Sequence, residues 1–440
     1  MKKGVWVFAF MALLTAFSFG QAQRQGAQNG DQTSQLPPEQ ALGKAPFIMG
    51  YDIAPPATVE DVAYGPTNTS LGYKGVVMAN FDANDAADEL YADFGASGLW
   101  YYNDGAWTQV SGLNPQGMIS VTAIWTPDDE LIVDFGPTGL WYADSGTSWS
   151  QLSGANADGM FATDDDNDGA DEIQVDFGTL GVWHFDPDTW AWIQFSGLNP
   201  YNGLRMDYWT AGYEEGVWSF PTVGMWLMYT NATGSTTWYE QLTGTVTAAD
   251  DHASANFVYD TGAEDLVADF GGLGLWLYKG DRTGWIQVSS MWANRVKEVK
   301  FMGTSDYELL AEDLDTGILH WGNWNGSGMT WTQITATAQG PGWCETCDWD
   351  GIAAGESEEV FIPINAGGMY IYDYDTDSLT SVLNTLYTVN FAVRGDPYGV
   401  GYDSTVALAL ASATGYPGLY LYDAAHGYAK ISSLVPDGTY

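Results

Sequence analysis

Along most of the chain, short runs that alternate apolar with polar or small residues are broken by Gly, Asn, Asp and Pro. In one stretch the runs cover 75–81, 89–94, 98–102 and 107–111. Alternation with a period of two between turn residues predicts short, half-buried strands. No window carries the 3.6-residue apolar stripe of an amphipathic helix. The expected class is all-β.

The runs recur. Glu89-Leu-Tyr-Ala-Asp-Phe-Gly-Ala-Ser-Gly-Leu-Trp100 returns as Glu130 to Trp141, Glu172 to Trp183 and Asp265 to Trp276, each with Asp-Phe-Gly followed by Gly-(Leu/Val)-Trp. Weaker copies end at Trp226, Leu319, Tyr370 and Tyr420, with spacings of 41, 42, 43, 50, 43, 51 and 50 residues. An aromatic residue and a Gln follow in six copies, as in Trp107-Thr-Gln109, Trp149-Ser-Gln151 and Trp192-Ile-Gln194. Four short strands in a unit of roughly 45 residues predict a propeller blade, which must stack on neighbours to bury both faces. The expectation is an eight-bladed β-propeller of four-stranded antiparallel blades over 72–440, preceded by an extension, 45–71, that packs on it. Gly would permit the turn between strands, and the flat Trp would pack between sheets.

Composition narrows the function. The chain has 440 residues, with 56 Asp+Glu against 13 Lys+Arg, a formal net charge of −43, and 21 Trp and 53 Gly. Phosphate recognition needs clustered Lys and Arg, so nucleic acid is excluded as an expected partner. A hydrophobic content of 45% excludes wholesale disorder, and two Cys exclude a disulfide-built miniprotein. Residues 1–22 read as a secretory signal peptide: Lys2 and Lys3, an apolar stretch from Val5 to Phe17, and the small-x-small site Gly20-Gln21-Ala22. That stretch is shorter than a membrane span needs and no other is long enough, so a secreted protein without a membrane span is expected, extracellular, periplasmic or cell-surface associated. The Gln-rich 23–44 segment reads as a flexible polar tail.

Several motifs bear chemistry. Asp164-Asp-Asp166-Asn-Asp168-Gly-Ala170-Asp-Glu172 places acids at alternate positions, a Gly at the turn and a later acid, a spacing that lets one loop wrap a hard cation with oxygens. The other reading is an acidic surface turn. The related Asp82 to Glu89 segment lacks the Gly. The Asp of Asp-Phe-Gly (Asp93, Asp134, Asp176, Asp269) either rings the axis or caps its own turn. Cys344-Glu-Thr-Cys347, in an exported chain, is expected to form a local disulfide. Trp125, Trp209, Trp292, Trp343 and Trp349 fall near loops and are ligand-binding candidates, because exposed indoles stack on the apolar faces of sugars; extra core packing is the alternative. The four His are dispersed, and no nucleophile elbow, zinc-protease motif or phosphate loop occurs, so no catalytic residue is assigned.

The turn-Asp loop followed by Asp-Glu and a Phe-Gly strand resembles FG-GAP/VCBS-type bacterial propeller repeats. The Trp-x-Gln-Val-Ser-Gly segment at 107–112 is similar, over a few residues per repeat, to tectonin-type lectin propellers. The first resemblance implies structural calcium, with Asp164, Asp166, Asp168 and Glu172 giving side chains and Ala170 its carbonyl. Together these readings describe an exported, calcium-stabilised, non-enzymatic binding protein that recognises a glycan or a cell-surface or extracellular protein through loop aromatics. The alternatives are a structural subunit of a matrix, surface layer or filament, and a polysaccharide lyase or glycosidase on the same scaffold. Oligomeric state is open.

Overall fold

A computed structural model describes residues 75–436 with breaks, the larger ones at 123–127, 231–236, 245–250, 339–343, 348–357, 396–404 and 412–417. The signal peptide, the polar tail and the 45–71 extension lie outside the described residues.

The strands form four-stranded antiparallel sheets, each made of four consecutive strands in chain order, so the chain zigzags from the inside of each sheet to its outside. The sheets span 76–111, 117–153, 159–196, 202–241, 251–289, 293–333, 345–381 and 388–432, and are called first to eighth below. The first strands pack side by side around an axis, and Thr388–Gly395 of the last sheet returns to Val76–Ala79 of the first. This is a β-propeller.

The expectation of eight full blades is corrected. Seven sheets have inner strands of four to eight residues, whereas that of the seventh is Glu345–Cys347, three residues paired only with 359–361. Locally, Glu345 and Thr346 put two buried polar side chains where Val76-Val-Met and Met118-Ile-Ser-Val put mainly apolar ones. Among the described residues the ring has seven full blades and one reduced sheet.

Two recurrent residues hold each of the first five sheets. The Trp of the third strand pairs across with the Gln of the fourth, as Trp100 with Gln109 and Trp183 with Gln194. Both side chains donate to a single carbonyl in the preceding turn, Ser97 O at 2.9 Å in the first sheet and Leu180 O at 3.1 and 3.0 Å in the third. The Trp of the fourth strand instead bolts its sheet to the one before. Trp192 Nε1 donates to Leu152 O (3.3 Å), Trp285 to Leu242 O (2.9 Å) and Trp331 to Val288 O (3.0 Å). Trp107 donates to Ile431 O at 2.7 Å, joining the first sheet to the last. Replacing Trp192 with Phe keeps most of the apolar burial and strands a buried carbonyl. It is expected to lower stability by about 1–2 kcal/mol, read as a lower urea midpoint with unchanged m.

The sixth sheet departs from the sequence alignment of the repeats. Its register pairs Glu312 with Leu319 and Ala311 with His320, so His320 stands where the first five sheets carry the Trp and the last two carry Tyr370 and Tyr420.

Candidate metal centre

Acidic pairs recur at the start of the second strands, and the sheet geometry gives each member a task. The second acid is buried and accepts a backbone amide from its own preceding loop: Phe81 N to Glu89, Asp165 N to Glu172, Tyr208 N to Glu215, Val258 N to Asp265 and Phe301 N to Glu308, at 2.6–2.9 Å. The residue before it docks on the previous sheet. Asp171 N donates to Thr122 O while Asp171 Oδ2 accepts Thr122 N, both at 2.7 Å. Glu264 and Glu358 make the same reciprocal contacts with Asp207 and Lys300. Much of the negative charge is therefore structural, because a carboxylate can accept amides that a strand end leaves unpaired.

In the third sheet this scaffold carries the loop between Gly159–Thr163 and Glu172–Asp176. Asp164 organises it by accepting the amides of Asp168 (3.1 Å) and Gly169 (3.2 Å), and Asn167 and Gly169 take left-handed backbone angles of 58° and 92°. The turn gathers one carboxylate oxygen each from Asp164, Asp166 and Glu172 within 4.8 Å of one another. Asp166 Oδ1 is shielded from solvent and has no hydrogen-bond partner. Three of the predicted side-chain ligands therefore converge. Asp168 does not join them: its Oδ1 accepts Ala170 N at 2.9 Å. Ala170 is buried in the same turn.

Burial, followed by the nearby carboxylates of Asp168, Asp165, Asp186 and Asp164, pushes Asp166 up to about 6. Glu172 is driven well above the ordinary range by burial and then by Asp165. Asp188, in the turn between the third and fourth strands, rises to about 6 through desolvation and a side-chain contact with Asp168. A divalent cation would relieve this crowding of like charges.

Asp176 titrates apart from that loop. Burial lifts it to about 7 against the opposing hydrogen bond from Gly178 N. The folded value lies above the unfolded one, so the folded state retains a proton that the unfolded chain releases between about pH 4 and 7. The contribution to stability is complete below about pH 4 and is lost as the pH climbs through about 7. Asp176→Asn keeps the acceptor for Gly178 N and removes the titration. In chelator, the variant is expected to lose less stability than the wild type between about pH 4.5 and 7.5; equal slopes in urea melts would contradict this.

The Asp residues of Asp-Phe-Gly cap their turns. Asp93, Asp134, Asp176 and Asp269 accept the amides of Gly95, Gly136, Gly178 and Gly271 at 2.8–3.1 Å. Of the two cysteines expected to form a local disulfide, Cys344 is a buried thiol whose pKa is raised by burial, and the side chain of Cys347 lies outside the described residues.

Of the aromatic candidates, Trp125, Trp209, Trp343 and Trp349 lie outside the described residues. Trp292 is 44% exposed and directly precedes the inner strand Ala293–Val299. The acidic loop follows an inner strand, so Trp292 and the acids lie on opposite faces of the ring. The exposed indole near the acids is Trp190, also 44% exposed, in the same turn as Asp188. Its ring stands edge-on against Phe185 (5.2 Å) and Tyr142 (5.9 Å). Sequence reasoning misses Trp190, since its packing against Phe185 and Tyr142 becomes visible only in the fold.

No family model matches the chain, and no curated protein does. The FG-GAP/VCBS resemblance therefore rests on its motifs alone. Among solved structures, the chain is similar to BBS1N in a complex with ARL6DN (10% identity, 83% of this chain and 93% of that one, TM-score 0.46). It is also similar to an ancestral GH74 enzyme (13% identity, 84% and 64%, TM-score 0.44). Among the described residues no helix is long and apolar enough to cross a membrane.

Proposed function

We propose that this propeller is an exported, calcium-stabilised binding protein that recognises a glycan of a cell surface or extracellular matrix on the face carrying the acidic loop. The observation that carries the reading is the convergence of Asp164, Asp166 and Glu172 around a shielded, unpartnered Asp166 oxygen. All three donors are hard oxygens, and the glycine-bearing turn is the kind of loop calcium uses. The signal-like pattern of 1–22 supports export into surroundings where calcium is abundant. Trp190 supports the ligand class: buried rings hold it edge-on while it keeps an exposed surface beside polar groups, as a stacking platform for a sugar requires.

The test is retention on a panel of insoluble polysaccharides, with calcium and with chelator. Retention should need calcium and fall at least about tenfold in Trp190→Ala, with little change in melting temperature because the residue is half exposed. Absence of calcium-dependent retention across the panel would overturn the glycan reading.

A further inference from the structure

A second cluster lies directly beneath the acidic loop. Asp165, Glu172 and His184 are all buried, with at most 3% exposure, and offer one ligand atom each within 4.8 Å of one another. His184 Nε2 and Asp165 Oδ2 are 3.1 Å apart. Neither atom is in a hydrogen bond of acceptable geometry, and His184 Nδ1 also lacks a partner. Asp165 Oδ1 is held from the neighbouring sheet by Thr230 Oγ1 at 2.5 Å.

The other blades show what these positions ordinarily hold. Asp165 is the residue whose amide the buried acid accepts; its counterparts are Phe81, Tyr208, Val258 and Phe301, all buried core residues. By strand register, His184 corresponds to Tyr101, Tyr142, Leu227, Leu277, Trp321, Ile371 and Leu421. The third sheet thus replaces two packing side chains at once with an acid and an imidazole, at the cost of burying polar groups. Gln174, opposite His184, is a contrasting polar replacement, since its Oε1 accepts Trp218 Nε1 at 2.8 Å. The Asp165–His184 pair has no such account.

We infer that Asp165, Glu172 and His184 form a second metal site, for zinc or a similar borderline divalent cation, distinct from the calcium site above and sharing Glu172 with it. Imidazole nitrogen is a poor ligand for calcium and a good one for zinc. Two donors bound tetrahedrally to zinc at ~2.0–2.1 Å stand roughly 3.3 Å apart, near the observed separation, and need not point at each other as a hydrogen-bonded pair must. A water would complete the tetrahedron. Thr230 orients Asp165 from the adjacent sheet, so the ion would tie the third and fourth blades together.

The experiment titrates the full chain, free of affinity tag and stripped with chelator, with zinc alone and separately with calcium alone, by calorimetry. One zinc per chain is expected. His184→Leu, which restores the residue found in three other sheets, should weaken zinc binding on the order of 100-fold or more and leave calcium binding in place. Asp166→Ala should do the reverse. His184→Gln serves as the second variant should Leu perturb folding, with circular dichroism as the check. Cobalt provides an independent readout: its visible absorption on the wild type should vanish in the His184 variants. No zinc binding by the wild type, or unchanged binding in both His184 variants, overturns the inference and leaves a buried His–Asp ion pair. Loss of the calcium response alone would refute the calcium reading without touching this one.

Discussion

Gly181→Ala is expected to cost at least about 4 kcal/mol and to prevent the third blade from closing. Gly181 has a backbone φ of 82°, and a Cβ built there would lie 2.0 Å from Ser196 O and 2.8 Å from Gly197 Cα. The obstacle is backbone, so no rotamer relieves it. It also stands at a register shift, between Val182 and Trp183, where the fourth strand bulges toward the turn. Gly98, Gly139, Gly274 and Gly418 meet the same obstacle at 2.1–2.3 Å in their own blades. Gly326 is the control. Its φ of 91° is equally left-handed, but a Cβ there meets nothing within 4 Å. Gly326→Ala should therefore cost only about 1–2 kcal/mol. Calorimetric melts of the two variants should differ widely; similar losses would show that conformation alone, rather than the close approach, makes the glycine necessary.

Removing calcium is expected to have the second large effect. A ligand that binds only the folded state at a hundredfold excess over its Kd stabilises by about 2.7 kcal/mol, which for a chain of this size is a melting shift of about 3 °C. Chelator should lower the melting temperature of the wild type by that order and leave Asp166→Ala unmoved. Asp168→Ala should retain most of the calcium shift, because Asp168 caps Ala170 N and stands outside the converging carboxylates. Equal loss in the two variants would mean that the loop rearranges on binding.

The sequence made the blade visible because its strands repeat with the same turn chemistry. The predicted runs 89–94 and 107–111 fall almost on the strands Glu89–Asp93 and Ala106–Ser111. The acidic loop was legible too, since alternating acids around a Gly are a local pattern. What stayed hidden depends on neighbours distant in sequence. The docking role of Asp171 needs Thr122, and the bolt of Trp107 needs Ile431. The exchange of packing residues for Asp165 and His184 required the strand register. Repeat spacing alone misplaces His320 by one residue, and no local motif joins an acid to a histidine nineteen positions on. The reduced seventh sheet escaped because its repeat still ends in Gly368-Met-Tyr370, while the deficit lies in the inner strand.

The central claim is that the loop of the third blade is built around a cation. The direct measurement is a crystal structure of the protein grown in calcium. The account predicts a single strong density peak bonded at about 2.3–2.6 Å to oxygens of Asp164, Asp166 and Glu172, and its absence from crystals of Asp166→Ala. A wild-type loop with the same three carboxylates and no ion among them at saturating calcium would contradict it.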